Sequence, residues 1–191
     1  MRSRCMACLV ATFLAVVAAF PAKAAAPEAK PQRAPDVDYV VSPDKVVDKM
    51  LELADIKKGD IVYDLGCGDG RILIAAAKKY GVRAKGFEID PKYVAKSQEN
   101  IKKAGVENLA TVKQADLFNV DPSEATVVTL YLLPSVNVQL IPQLERLKPG
   151  SRIVSHDFDI RGIKTAKEAR VDVGGIGHWI YLIKTPLERK K

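Results

Sequence analysis

The run Ile61-Val62-Tyr63-Asp64-Leu65 is followed at once by Gly66-Cys67-Gly68-Asp69-Gly70, and then by a helix-forming stretch from Arg71. No other feature constrains the fold as strongly. Three glycines on alternate positions form a loop in which positive φ is free and the main chain can approach a ligand with no Cβ in the way. A strand that ends in such a loop and opens a helix is the first unit of a parallel α/β sheet. Ligands of such sheets sit beyond the carboxyl ends of the strands, at the switch point. The spacing is G-x-G-x-G. A dinucleotide fingerprint would need glycine where Arg71 stands. A pyrophosphate also favours a helix start free of carboxylates, whereas this loop carries Asp64 and Asp69. Asp64, Gly66, Cys67, Gly68 and Gly70 are therefore the candidate cofactor-binding set, for a ligand bearing positive charge.

The rest of the chain repeats the rhythm. Val46, Val47, Met50, Leu51 and Ala54 recur at helical spacing after Ser42-Pro43, which reads as an N-cap with proline in the first turn. Arg71 to Tyr80 reads as a helix, Arg83 to Ile89 as a strand, and Pro91 to Lys103 as a helix capped by Asp90. Leu109 to Lys113 and Ala125 to Leu132 read as strands. Val136 to Leu147 reads as a helix that Pro142 kinks, and Arg152 to Ser155 starts another strand. Ala169 to Val173 and Trp179 to Lys184, separated by Gly174-Gly175-Ile176-Gly177, break the alternation and are expected to pair antiparallel. The predicted fold is α/β: a doubly wound, mostly parallel, seven-stranded Rossmann-like sheet closed by a C-terminal antiparallel hairpin.

The 191 residues leave room for one ordinary domain, and 48% hydrophobic residues suffice for its core. Arg2 and Arg4, the uncharged run from Leu9 to Phe20, and Ala22-Lys23-Ala24 have the form of an export signal over residues 1–24. The expected location is thus periplasmic or exported, with a membrane-anchored domain as the alternative if the segment stays uncleaved. Residues 25–35, rich in Ala and Pro, read as a linker. Residues 36–185 form the domain and residues 186–191 a basic tail. Arg2, Arg4 and Lys23 carry three of the seven net positive charges, and no run of Lys and Arg is long enough for a nucleic-acid arm. Without the signal, Cys67 is the sole cysteine, so no intramolecular disulfide is possible. Neither His156 nor His178 has metal-ligand company in the sequence, and no metal site is expected.

Glu88 ends the second strand, where an acid accepts hydrogen bonds from ribose hydroxyls. Asp116, followed by Leu117, comes after the third strand, where a carboxylate can accept an adenine amino group. Tyr131 ends the fourth strand and is placed to orient an acceptor or to shape an apolar sleeve for it. His156 and Asp157 end the fifth, where either can take a proton, hold the acceptor, or brace the loop to Phe158. His178 beside Trp179 reads as a hairpin pair.

The string from Val62 to Gly70, with Glu88 and Asp116 at their offsets, resembles class I methyltransferases. A narrower resemblance covers nearly all of residues 39–184. Tyr39-Val40-Val41-Ser42-Pro43, Tyr63 to Arg71, Ala125 to Leu133, and Lys148 to Phe158 with its Ser155-His156-Asp157-Phe158 block are similar to two groups. These are the archaeal broad-specificity protein lysine methyltransferases and the mitochondrial methyltransferase of the ATP synthase c-subunit. The resemblance implies S-adenosyl-L-methionine as cofactor and a protein lysine as acceptor. A small-molecule or lipid acceptor, or cofactor binding without catalysis, remain the alternatives. Nucleic acid is not the expected acceptor, because the fourth strand ends in Tyr131-Leu132-Leu133-Pro134 rather than an Asn-Pro-Pro-aromatic run. The chain is expected to act as a monomer. It departs from the family pattern at Arg161-Gly162-Ile163, where relatives carry a tryptophan.

Overall fold

The computed structural model describes residues 39–190. The expected signal and linker lie outside the described residues. Seven strands form one sheet in the order β3-β2-β1-β4-β5-β7-β6. The strands β1 (Ile61–Leu65), β2 (Arg83–Glu88), β3 (Ala110–Gln114), β4 (Val127–Leu130) and β5 (Arg152–His156) are parallel. The last two, β6 (Lys167–Val173) and β7 (Ile176–Lys184), are antiparallel, and β7 pairs with β5. This is the architecture expected from the alternation. The order in which strands are added reverses between β1 and β4, so the carboxyl ends of β1, β2 and β4 open into one crevice, where the glycine loop stands.

Helices cover both faces. α1 (Asp44–Leu53), α2 (Arg71–Tyr80) and α3 (Pro91–Ala104) bury their apolar stripes against one side, with Val46, Met50, Leu51, Leu73 and Ala76 in that core. α4 (Pro134–Gln139) and α5 (Ile141–Leu144) cover the other, with Val136, Leu140 and Leu144 against Val128, Leu130 and Ile153. The single kinked helix expected over residues 136–147 is thus two short ones. Pro142 lacks an N–H and lies in the first turn of α5, so the ladder breaks at Leu140.

Three further differences have local causes. Ser42 does not cap α1: the side chain makes no cap bond, and its Oγ lies 2.9 Å from His156 Nδ1 instead. The β6–β7 turn is tighter than expected. Gly174 and Gly175, with φ of 59° and 84°, form a two-residue hairpin turn, and Ile176 and Gly177 already belong to β7. Residues 186–190, expected as a tail, lie against the body. There Arg189 bridges Ile163, and Lys190 pairs with Asp159 at 2.7 Å.

Candidate active site

Directly beyond β1 lies a cavity of about 320 Å³, lined by the glycine loop, by Glu88 at the end of β2 with Ile89 and Asp90 after it, by Leu117, by Tyr131 and Leu132 after β4, and by Tyr39 to Ser42. Gly66, Gly68 and Gly70 all have positive φ. At Gly68 the need is also steric, since a Cβ would come 2.3 Å from the Tyr39 ring. Gly70 has a different task. It does not line the cavity, and a Cβ there would meet Ser97 Oγ of α3 at 2.3 Å, so this glycine lets the loop close onto a helix.

The two loop acids separate in role. Asp69 is held by Arg71 through two side-chain bonds of 3.0 and 2.7 Å. Burial pushes its carboxyl up, but the guanidinium holds it below the ordinary value. It is thus committed to the protein. Asp64 is 3% exposed, accepts one hydrogen bond from Thr129 Oγ1 at 2.7 Å, and has no cation beside it among the described residues. Burial raises its pKa to about 7, with a further push from Glu88 and Asp69 and an opposing pull from Thr129. A desolvated, unpaired acid at the floor of a cavity is a receptor for a cation.

Glu88 is aimed rather than buried blindly. Its Oε1 accepts from the N–H groups of Ile89 and Asp90 at 2.8 and 3.0 Å, and its Oε2 from Gly68 at 2.9 Å. One lone pair of Oε2 remains for a hydroxyl from the cavity. Asp90 caps α3, accepting from Lys92 N at 2.8 Å. Asp116 caps the 3-10 turn Leu117–Asn119, accepting from Phe118 N at 3.0 Å. Leu117 lines the cavity and Asp116 does not. Cys67 lines it as a thiol, because burial first, and then Asp64 and Glu88, push its pKa well up.

On the acceptor side, Tyr131 lines the cavity and stacks on His156 with ring centroids 3.8 Å apart. Burial and the neighbouring Asp157 carboxylate raise its pKa above the ordinary tyrosine value. His156 and Asp157 stand one layer back, outside the cavity wall. His156 is fully buried, and burial holds its imidazole below the ordinary pKa against the pull of Asp157. The expectation that the histidines lack company needs correction. His178 on β7 reaches across the β5–β7 ladder, its Nδ1 3.0 Å from His156 Nε2 and 3.2 Å from Asp157 Oδ2. Register brings them together, and a linear spacing of 22 residues conceals it.

The segment from Tyr39 to Ser42 roofs the cavity. Tyr39 packs on Tyr93 with ring centroids 4.1 Å apart and planes tilted by 32°, and Arg71 Nη1 holds the Ser42 carbonyl at 3.0 Å. The Tyr39-to-Pro43 block was visible in the sequence, but a segment without periodicity gives no hint of where it lies.

The ANTKMT methyltransferase domain family matches residues 64–167. A protein-lysine N-methyltransferase of Saccharolobus islandicus is 50% identical over 150 residues, covering 78% of this chain and 93% of that protein. The human lysine N-methyltransferase of the ATP synthase c-subunit is 34% identical over 121 residues, 63% of this chain and 51% of that longer protein. Among solved structures, an RNA methyltransferase from Salinibacter ruber in complex with S-adenosyl-L-homocysteine is 50% identical. It superposes with a TM-score of 0.71 over 79% of this chain and 98% of that one.

Proposed function

We propose, from the premise that this chain belongs to the ANTKMT methyltransferase domain family, that it transfers a methyl group from S-adenosyl-L-methionine to the amine of a protein lysine. The residues present fit that cofactor. The buried, uncompensated Asp64 suits its cationic end, Glu88 has a lone pair turned to the cavity for its ribose, and the glycine loop leaves main chain where side chains would intrude. When bound, the cofactor supplies a methyl group activated by an adjacent sulfonium.

The protein's own work is positioning and exclusion of water. Asp64 and Glu88 hold one side of the cavity. Tyr131 and Leu132 form the wall at the end of β4, and Tyr39 to Ser42 roof it. A lysine amine must arrive without its proton to act as a nucleophile. The hydrocarbon of Leu132 and Val41 disfavours the ammonium form, and the Tyr131 hydroxyl, hydrogen-bonded to Asp157, is placed to accept from an N–H of the neutral amine and leave the amine lone pair free. The observation that carries the reading is that Tyr131 borders the same cavity as Asp64 and Glu88. The names of the Saccharolobus and human relatives support a lysine acceptor, and that of the Salinibacter protein supports RNA as the rival.

Labelled cofactor added to a cell extract, then separated into protein, RNA and lipid fractions, tests the choice. Label in protein bands that mass spectrometry maps to lysine is the expected result. Label confined to RNA or to the organic phase would overturn it.

A further inference from the structure

Behind the acceptor wall, His156 Nε2, His178 Nδ1 and Asp157 Oδ2 form a closed triangle, with edges of 3.0, 3.2 and 3.2 Å. Hydrogen bonding does not account for all three edges. His156 Nδ1 is engaged with Ser42 Oγ at 2.9 Å. If that nitrogen donates, His156 Nε2 is a bare lone pair facing a carboxylate. If instead it accepts, Nε2 carries the proton, and a bare His178 Nδ1 faces Asp157. If both imidazoles point protons inward to Asp157, two N–H groups meet across 3.0 Å. With Asp157 ionised, every arrangement of protons on neutral rings leaves one edge of the triangle repulsive.

A cation satisfies all three edges at once. We propose that His156, Asp157 and His178 form a binding site for a divalent transition-metal ion of the zinc type. Ligand distances of about 2.0–2.2 Å give ligand–ligand edges of roughly 3.0 Å in octahedral and 3.4 Å in tetrahedral geometry. The observed edges lie between these values. Two imidazoles and one carboxylate suit zinc, cobalt or nickel rather than calcium or magnesium. Three protein ligands leave a position for water. The surrounding contacts are those that ligands need. With a metal bound, Ser42 Oγ accepts a hydrogen bond from His156 Nδ1, 2.9 Å away, which leaves Nε2 free to coordinate. Asp157 has a left-handed φ of 57°, and its other oxygen is fixed by Trp179 N at 2.9 Å. None of the three ligands lines the cofactor cavity, so the site is distinct from it, although Tyr131 stacks on His156 and links the two.

The full chain provides its own reporter, since Trp179 is its only tryptophan and adjoins His178. The chelator-treated protein is titrated with Co²⁺ while visible absorption and Trp179 fluorescence are recorded, and Zn²⁺ is then added as competitor. The expected result is one equivalent bound, with d–d bands and quenched fluorescence that Zn²⁺ reverses. His178→Ala should weaken Co²⁺ by more than roughly a hundredfold, and Ser42→Ala by about 10–100-fold as an outer partner. Circular dichroism and thermal melts confirm that each variant is folded. Absence of stoichiometric binding by the wild-type chain would overturn the proposal. So would undiminished binding in a folded His178→Ala variant, which would place the metal on other residues.

Discussion

Replacing Asp64 by Asn should make the cofactor-free protein more stable and the cofactor weaker, two effects that ordinary damage to a binding site does not combine. Asp64 carries a pKa raised from 3.8 to about 7 by burial, with Glu88 and Asp69 adding to it. The native state therefore binds this proton more tightly than the unfolded chain. The group's contribution is fully favourable below pH 3.8, is lost as pH rises towards 7, and is level above it. At ~1.4 kcal/mol per tenfold change, holding the charge above pH 7 costs about 4 kcal/mol. Asn keeps an oxygen for the 2.7 Å bond from Thr129 Oγ1, but buries an amide N–H₂ whose desolvation costs about 1–3 kcal/mol. The net gain at pH 8 is about 2 kcal/mol, or roughly 4–8 °C in Tm for a domain of this size. At pH 4 the wild-type acid is protonated and the order should reverse. Loss of the charge should at the same time weaken the cofactor by about 1.5–3 kcal/mol. Thermal melts from pH 4 to 9 and calorimetry provide the test. An Asn variant that melts below wild type at pH 8 as well as at pH 4, or that binds the cofactor unchanged, would refute the assignment of Asp64 as a strained cation receptor.

Three more outcomes are expected. Glu88→Ala should weaken cofactor binding by about 1.5–3 kcal/mol, whereas Asp90→Ala should cost about 1 kcal/mol of stability as a lost cap; paired calorimetry and melts would show if these roles are exchanged. Tyr131→Ala should lower kcat more than about tenfold while the cofactor Kd moves less than about threefold, and a wild-type kcat would move the acceptor channel away from β4. Residues 1–35 fused to a periplasm-dependent reporter should switch it on, and a silent fusion would reject the export reading.

The fold was legible because its signals are local. Apolar stripes on α1 to α3, the cap at Asp90 and the glycine loop each state their own conformation within a few residues, and alternation then dictates a parallel sheet. The floor of the site was legible for the same reason: Asp64 and Glu88 sit at strand ends whose place the topology prescribes. Asp69 was not separable from Asp64 by sequence, since only the fold shows that Arg71 turns back to claim it. His178 reaches His156 through the register of β7 on β5, in which His156 lies opposite Ile180, and no spacing rule encodes that.

The roof is the clearest case of what a linear reading misses, and it can be tested by coupling. Tyr39 lies 29 residues before Gly68, in a segment of no regular structure, yet its ring occupies the space a Cβ at Gly68 would need, at 2.3 Å. Gly68→Ala therefore has two penalties. One is conformational, from a φ of 51°, and belongs to the loop alone. The other is steric, about 1–3 kcal/mol for an overpacked contact, and requires Tyr39. The ring cannot yield freely, because it is packed on Tyr93 and its segment is tied down by Arg71 at the Ser42 carbonyl. In the Tyr39→Ala background only the conformational penalty remains. A double-mutant cycle on stability should then show the cost of Gly68→Ala falling by about 1 kcal/mol or more, within the range found for residues in contact. Additive losses would mean that Tyr39 swings clear of the loop in solution. The roof would then be an open flap, and closure over the cofactor would have to come from binding itself.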